Sequence, residues 1–273
     1  MSRLLAALGL VLALASPVSA MGARAQAITD AWVNIYDPVL KPSGDHIIAR
    51  HYLIADGRAN CAVGQTARLV VALHGGAGSA EAMASQFPLG SRCYVVAYPS
   101  GSNKPLGQPI RVSGTNLSWN ASSTVEQGWA GNNGVNDDLF ITSVIAAVKS
   151  AYGLTTTFGV GLSKGGMLMY HLACDAGTFA AIAGVATTFS DTSCSPAAYV
   201  PSLHIHGDND HNVCWSAWFA SCSPWPKAQP PVAAWQANGS GHQLNVVPGG
   251  THGWRPLDSF NTTGTVWTYL DAK

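Results

Sequence analysis

Charge is scarce in this sequence: Asp, Glu, Lys and Arg make up 10% of 273 residues, against about a quarter in an average soluble domain. The 14 basic residues are matched by 14 acidic ones, so there is no positive excess with which to grip a polyanion, and a nucleic-acid partner is not expected. Beyond the first residues no apolar run approaches the roughly 18 to 20 residues needed to cross a bilayer. The six cysteines contain no C-x-x-C pair, the usual mark of a structural zinc site. Glycine is plentiful, but His74-Gly-Gly-Ala-Gly-Ser79 is not G-x-G-x-x-G, and Gly161 to Gly166 lacks the spacing of a phosphate-binding loop. No cofactor is therefore expected. Internal repeats are lacking, as is a Ser/Thr/Pro-rich linker to an appended binding module.

What is present starts with a leader. Arg3 precedes an apolar run from Leu4 to Ala15, followed by Ser16, Pro17 and small residues, the layout of a secretory signal peptide. Cleavage fits after Ala20 or after Ala25, and Ala23-Arg24-Ala25 favours the second. Residues 1–25 are thus read as the signal peptide and 26–273 as one domain, in the size range of a single core. The leader carries Arg3 and Arg24 and no acid, so the remainder has a net charge of about −2. The expected location is outside the cytoplasm, extracellular or periplasmic, with no membrane attachment after cleavage and a monomeric state. All six cysteines (Cys61, Cys93, Cys174, Cys194, Cys214, Cys222) follow the leader, and an even count in an exported chain favours disulfides. Order along the chain suggests Cys61 with Cys93, Cys174 with Cys194, and Cys214 with Cys222.

Two patterns alternate after residue 45. Short β-branched or apolar runs bounded by Gly and Pro occur at His46 to Ile54, Ala67 to His74, Cys93 to Tyr98, Thr156 to Gly161, Ala181 to Ala186, Ser202 to His206 and Gln243 to Val247; these read as strands. Helical segments lie between them. The clearest has Asn136 as N-cap, Asp137 and Asp138 in its first turn, where acids suit the helix dipole, and Ile141, Val144, Ile145 and Val148 on one face. A last helix is expected over Asp258 to Leu270. Strands apolar throughout belong to a mostly parallel sheet covered on both faces, so the fold class is a three-layer α/β sandwich. Residues 102–135, rich in Gly, Asn and Ser but carrying Trp119 and Trp129, read as a long ordered loop near a site.

The chemistry concentrates at Gly161-Leu-Ser-Lys-Gly165, a G-x-S-x-G between an apolar run and a helical one. That context is what a nucleophile elbow needs, because the serine sits in a strained turn and glycines on either side remove clashing Cβ atoms. In this fold type the acid and then the histidine follow the serine, each at the carboxyl end of a strand. Of the later histidines, His204 and His206 lie within a strand, His211 adjoins the acid and His242 precedes the last strand. His252, in Pro248-Gly-Gly-Thr-His-Gly-Trp254, follows that strand and is the chosen base. Leu203-His-Ile-His-Gly-Asp-Asn-Asp210 offers two acids; Asp210 is chosen, with Asp208 bracing the turn. An oxyanion hole is expected from the N–H of Gly76, in Ala72-Leu-His-Gly-Gly-Ala-Gly78, and that of Lys164, the residue after the serine.

Four segments together resemble the polyhydroxybutyrate-depolymerase-like esterases, a group that includes feruloyl and acetylxylan esterases. They are Leu73-His-Gly-Gly, Asn136-Asp-Asp-Leu-Phe-Ile141, Gly161-Leu-Ser-Lys-Gly-Gly-Met-Leu-Met-Tyr-His-Leu-Ala-Cys174, and His206-Gly-Asp-Asn-Asp210 with Gly249-Gly-Thr-His-Gly-Trp254. Ser118-Trp-Asn120 is similar to the Trp-Asn element that precedes the Asp-Asp helix in such enzymes. The resemblance covers most of the chain after the leader. It implies an α/β-hydrolase fold, an ester substrate and Ser163, Asp210 and His252 as the triad. Two positions depart from it: Lys164 stands where Asn is usual, placing a cation near the mouth that favours acidic or polar substrates, and Gly76 stands where Cys is frequent.

The expected activity is that of a secreted serine ester hydrolase working through an acyl-enzyme, on feruloyl or acetyl-xylan esters or on polyhydroxyalkanoates. Trp119, Trp129 and Trp254, with Trp215 and Trp218, are candidates for an aromatic wall gripping such a substrate. Two other readings remain: a hydrolase-like binding protein without activity, and a metal-dependent hydrolase using His204, His206, Asp208 and Asp210.

Overall fold

The computed structural model describes residues 27–103, 117–121, 128–174, 178–189, 200–216, 227–237 and 241–273. The expected leader, Trp218, Cys194 and Cys222 lie outside these residues. Among the described residues, eight strands form one sheet: β1 (Ile28–Tyr36), β2 (Ile47–Asp56), β3 (Arg68–Leu73), β4 (Tyr94–Pro99), β5 (Thr157–Leu162), β6 (Ala181–Val185), β7 (Ser202–Gly207) and β8 (Gln243–Val247). Their order is β1-β2-β4-β3-β5-β6-β7-β8. The six strands from β4 to β8 run parallel, while β2 is antiparallel to both of its neighbours.

Among the described residues, six α-helices accompany the sheet: α1 (Ala80–Gln86), α2 (Gly128–Asn133), α3 (Asp137–Tyr152), α4 (Ser163–Ala173), α5 (Gln229–Gln236) and α6 (Thr262–Asp271). Side chains on β3 show why the apolar runs are continuous. Leu69, Val71 and Leu73 enter a core shared with α3, α4 and α5, while Val70 and Ala72 enter a second core shared with α1 and α6. Each face of the parallel sheet is thus covered, and period-two alternation sends apolar residues to both layers. Among the described residues no helix is long and apolar enough to cross a membrane.

Several boundaries differ from the sequence expectation. The edge strand β1 was not foreseen, because Ile-Thr-Asp-Ala-Trp-Val-Asn-Ile-Tyr is neither a continuous apolar run nor a clean alternation; its pairing with β2 makes it a strand. The last helix is shorter than Asp258 to Leu270. Arg255–Phe260 forms a 3₁₀ segment, and Asn261, at φ 54°, caps α6 by accepting the Gly264 N–H. Of residues 102–135, the described parts include α2 and a short bridge between Ser102 and Ser118. The N-cap of α3 is Asn136, whose side chain accepts from Leu139 N.

Cys61 and Cys93 are joined in a disulfide across 32 residues, a loop whose closure in the unfolded chain is worth about 3–4 kcal/mol in the chain-entropy model. Cys174 and Cys214 are also disulfide-bonded.

After β3 the chain turns to β4 on one side, then crosses back to β5 on the other. The crevice at the carboxyl ends of β3 and β5 is therefore the point where strand order reverses, the general location of ligand sites in open α/β sheets.

Candidate active site

Ser163 stands at the carboxyl end of β5 as the first residue of α4, with φ 49°. An L-residue in the left-handed region costs about 1–2 kcal/mol, so the surroundings must hold it there. Gly161 and Gly165 make this possible by close approach. A Cβ on Gly161 would lie 2.5 Å from the Gly166 Cα, and one on Gly165 would lie 2.3 Å from the His74 carbonyl oxygen. The G-x-S-x-G spacing is thus a packing requirement: one glycine lets strand and helix touch, and the other lets the helix press on the loop after β3. Thr187, just beyond β6, donates its hydroxyl proton to the Ser163 carbonyl at 2.6 Å and so braces the turn from the far side.

The other two residues arrive on the loops after β7 and β8. His252 Nε2 lies 2.9 Å from Ser163 Oγ, and His252 Nδ1 lies 2.8 Å from Asp210 Oδ2. The His252 side chain is about one-fifth exposed and that of Asp210 fully buried. Asp210 Oδ1 accepts the N–H groups of Asn212 and Val213 at 2.8 and 2.9 Å. Burial opposes ionisation of Asp210. The hydrogen bonds from His206, His252 and Val213 N, with the charge of His252, outweigh it and hold the carboxyl well below the usual carboxylate range. An ionised Asp210 requires the proton of neutral His252 on Nδ1, which leaves the Nε2 lone pair facing the serine hydroxyl.

Asp208 is exposed and accepts the Gly249 N–H at 2.6 Å. It braces the turn after β8 rather than its own, and so ties the loop carrying Asp210 to the loop carrying His252.

The loop after β3 lies over Ser163. A Cβ on Gly75 would be 3.4 Å from Ser163 Cβ, and one on Gly76 would be 3.9 Å from Lys164 Cβ. His74 sets the orientation of this loop. Its Nδ1 faces the Gly75 carbonyl at 2.7 Å, which can only accept, so Nδ1 carries the proton; its Nε2 accepts the Gly101 N–H at 3.0 Å. Burial pushes the His74 pKa down to about 4, so the ring is neutral. With Gly78 N–H also on the Gly75 carbonyl, that oxygen is pinned, and the N–H of Gly76 in the same trans peptide points the opposite way. Sequence inspection treated His74 only as part of the loop and missed this role.

Lys164 extends along Gly76, and its Nζ donates to Ser118 Oγ at 3.2 Å. Half-burial lowers its pKa through desolvation. The cation therefore adjoins the site while being anchored to the Ser118 loop.

The aromatic wall is largely corrected. Trp119 is fully buried and donates its Nε1–H to the His74 carbonyl. Trp254 is 2% exposed, donates to Thr263 Oγ1 and packs on Phe87. Both are core residues and neither can line a substrate surface. Trp215 is buried against the rings of His204 and His206. Trp129 is partly buried on α2 and packs against the core.

The metal-site reading also fails on geometry. His204 Nε2 and His206 Nδ1 face each other at 3.0 Å, His206 Nε2 faces the Val213 carbonyl, and Asp208 turns away to Gly249. Among the described residues no group of three or more His, Cys, Asp or Glu converges as a metal site.

No family model matches the chain, and no curated protein matches it in sequence. Solved structures do match in shape. A protein of Thermus thermophilus superposes with TM-score 0.56 at 17% identity, covering 90% of this chain and 100% of its own. A dienelactone hydrolase-like promiscuous phosphotriesterase from metagenomic libraries gives 0.57 at 12%, covering 91% and 96%. A ferulic acid esterase gives 0.54 at 12%, covering 88% and 96%. The fold is that of the α/β-hydrolases. Nucleophiles of this fold sit on a strand-to-helix turn, with the acid and then the histidine following in the chain; Ser163, Asp210 and His252 occur in that order, after β5, β7 and β8.

Proposed function

We propose that the protein is a secreted serine ester hydrolase in which Ser163, His252 and Asp210 form the catalytic triad. The observation that carries this reading is the line Ser163 Oγ, His252 Nε2, His252 Nδ1, Asp210 Oδ2, with contacts of 2.9 and 2.8 Å on a strained strand-to-helix turn. Ser163 Oγ attacks the ester carbonyl carbon as its proton passes to His252 Nε2. The resulting imidazolium is stabilised by Asp210, whose ionised state is secured by its buried donors. Negative charge on the carbonyl oxygen is met by the N–H groups of Gly76 and Lys164. Collapse of the tetrahedral species breaks the ester C–O bond, and His252 returns the proton to the departing alcohol. Water then attacks the acyl-serine by the same proton route and frees the acid and Ser163.

The substrate class follows from the resemblance of the four segments: feruloyl or acetyl-xylan esters of plant walls, or polyhydroxyalkanoates. Lys164 beside the oxyanion loop favours acyl groups bearing polar or acidic substituents. Export is supported by the leader at residues 1–25 and by the disulfides, and the protein acts as a monomer without a cofactor.

The test is hydrolysis of short p-nitrophenyl esters by the mature protein, followed by rates on methyl ferulate, acetylated xylan and polyhydroxybutyrate. Turnover of at least one ester, abolished in Ser163→Ala, is expected. A folded protein that cleaves none of them would overturn the reading and leave a binding role.

A further inference from the structure

The triad leaves unused a buried chain of polar side chains that runs into it from the core. Tyr170 on α4 places its hydroxyl 3.0 Å from His204 Nδ1. His204 Nε2 is 3.0 Å from His206 Nδ1, and His206 Nε2 is 2.7 Å from the Val213 carbonyl and 3.3 Å from Asp210 Oδ2. Tyr170, His204 and His206 are all buried, sheathed by Trp215 against both imidazoles and by Trp235 against Tyr170. The two histidines are i and i+2 on β7, so they share one face, and their nearly parallel rings meet edge to edge with centroids 5.3 Å apart. A strand face of this kind is normally apolar, and each polar group on it costs desolvation unless paired.

The direction of every proton is fixed by one end of the chain. The Val213 carbonyl can only accept, so His206 Nε2 carries hydrogen, and the tautomer with hydrogen on Nε2 alone leaves Nδ1 to accept. His204 Nε2 must then donate, His204 Nδ1 accepts, and Tyr170 donates. Burial, with the neighbouring His206, holds His204 neutral, and burial keeps the Tyr170 phenol protonated. The three dipoles therefore align, with their positive end at Asp210, and aligned bonds in a dry interior strengthen one another.

We propose that His206 is a positioning residue for the triad. Oriented by Tyr170 and His204, its Nε2–H clamps the Val213 carbonyl and Asp210 Oδ2 together, so that the carboxylate stays aimed at His252 Nδ1. The clamp works from two sides, because Val213 also gives its own N–H to Asp210 Oδ1. Asp210 thus sits between His206 and His252 on one oxygen and two backbone donors on the other. The activity part of this inference rests on the ester-hydrolase reading; the geometric part does not.

The test compares His206→Phe, His206→Gln and His206→Asn, reading kcat and KM on a p-nitrophenyl ester and the far-downfield proton resonance of His252 Nδ1–H. Gln carries an amide nitrogen near the Nε2 position, whereas Asn reaches only the Nδ1 position. Loss of a hydrogen bond to a charged group predicts a kcat roughly 10–100-fold lower in His206→Phe and His206→Asn, with KM unchanged and the resonance shifted or lost. His206→Gln should recover most of kcat and the resonance. If His206→Phe does not fold, the Gln and Asn pair decides the matter alone. Equal behaviour of Gln and Asn, or a wild-type resonance and kcat in folded His206→Phe, overturns the proposal. Should the wild type cleave no ester, the resonances still decide the positioning role, so failure of the two readings can be told apart.

Discussion

Gly165, on the first turn of α4, has its α-carbon against the carbonyl of His74, so closely that a Cβ there would stand 2.3 Å from that oxygen. The turn carrying Ser163 and the loop after β3 are therefore one packed unit. Gly165→Ala must push the loop away from Ser163, and a displacement of about 1 Å can cost on the order of 100-fold in rate. Steady-state kinetics should show a fall in kcat with the protein still folded; an unchanged kcat would mean that the loop after β3 does not contribute to the reaction.

Ser163→Ala should lower kcat by about 10⁶-fold if the serine is the nucleophile. Ser163→Gly should be equally inactive yet more stable by about 1 kcal/mol, because glycine tolerates φ 49° without the strain of an L-residue. Denaturant unfolding of the two variants side by side measures that difference.

His74 links stability to pH. Its folded pKa is depressed to about 4 from 6.5, mainly by burial. As pH falls below 6.5 the unfolded chain takes up the proton first, so the native state loses stability progressively until about pH 4, where His74 protonates in both states. The full contribution, present above 6.5, is about 3 kcal/mol for the 1.36 kcal/mol carried by each pKa unit. Urea titrations at both ends of this window should show wild type losing about that much more than His74→Asn; parallel losses would place the acid sensitivity elsewhere.

Asp137 and Arg50 form a buried ion pair at 2.9 Å, with Asn120 N–H on the second carboxylate oxygen and the Ser100 carbonyl on the same guanidinium nitrogen. Burial raises the Asp137 pKa against the pull of Arg50. Asp137→Ala would strand a buried guanidinium and should cost about 3–5 kcal/mol. Arg50→Met with Asp137→Leu should cost much less, and a double-mutant cycle by chemical denaturation measures the coupling.

Trp254→Phe removes the indole donor to Thr263 from the core. The expected result is a stability loss of about 1–3 kcal/mol with KM unaltered on every ester. A selective rise in KM would return Trp254 to the substrate surface.

The sequence by itself determined the layered α/β fold, because both-face burial requires strands that are apolar throughout, as Leu69 to Leu73 and Val95 to Ala97 are. It also determined the geometry at Ser163, since the backbone contacts of Gly161 and Gly165 admit no side chain and so are written locally as glycine. Chain order was enough to single out Asp210 and His252 as the residues that meet that serine. The tertiary structure alone decided what the remaining polar and aromatic residues do. Trp119 and Trp254 look the same in sequence whether they face solvent or core, and only the elements packed over them make them core. His204 and His206 resemble metal ligands until Tyr170, 34 residues from His204, supplies a donor and Val213 an acceptor. Asp137 looks like a dipole-favoured residue at a helix start until Arg50, 87 residues away, arrives beside it. In each case the partner is distant in the chain, and a side chain's role depends on the group that meets it rather than on its own local pattern.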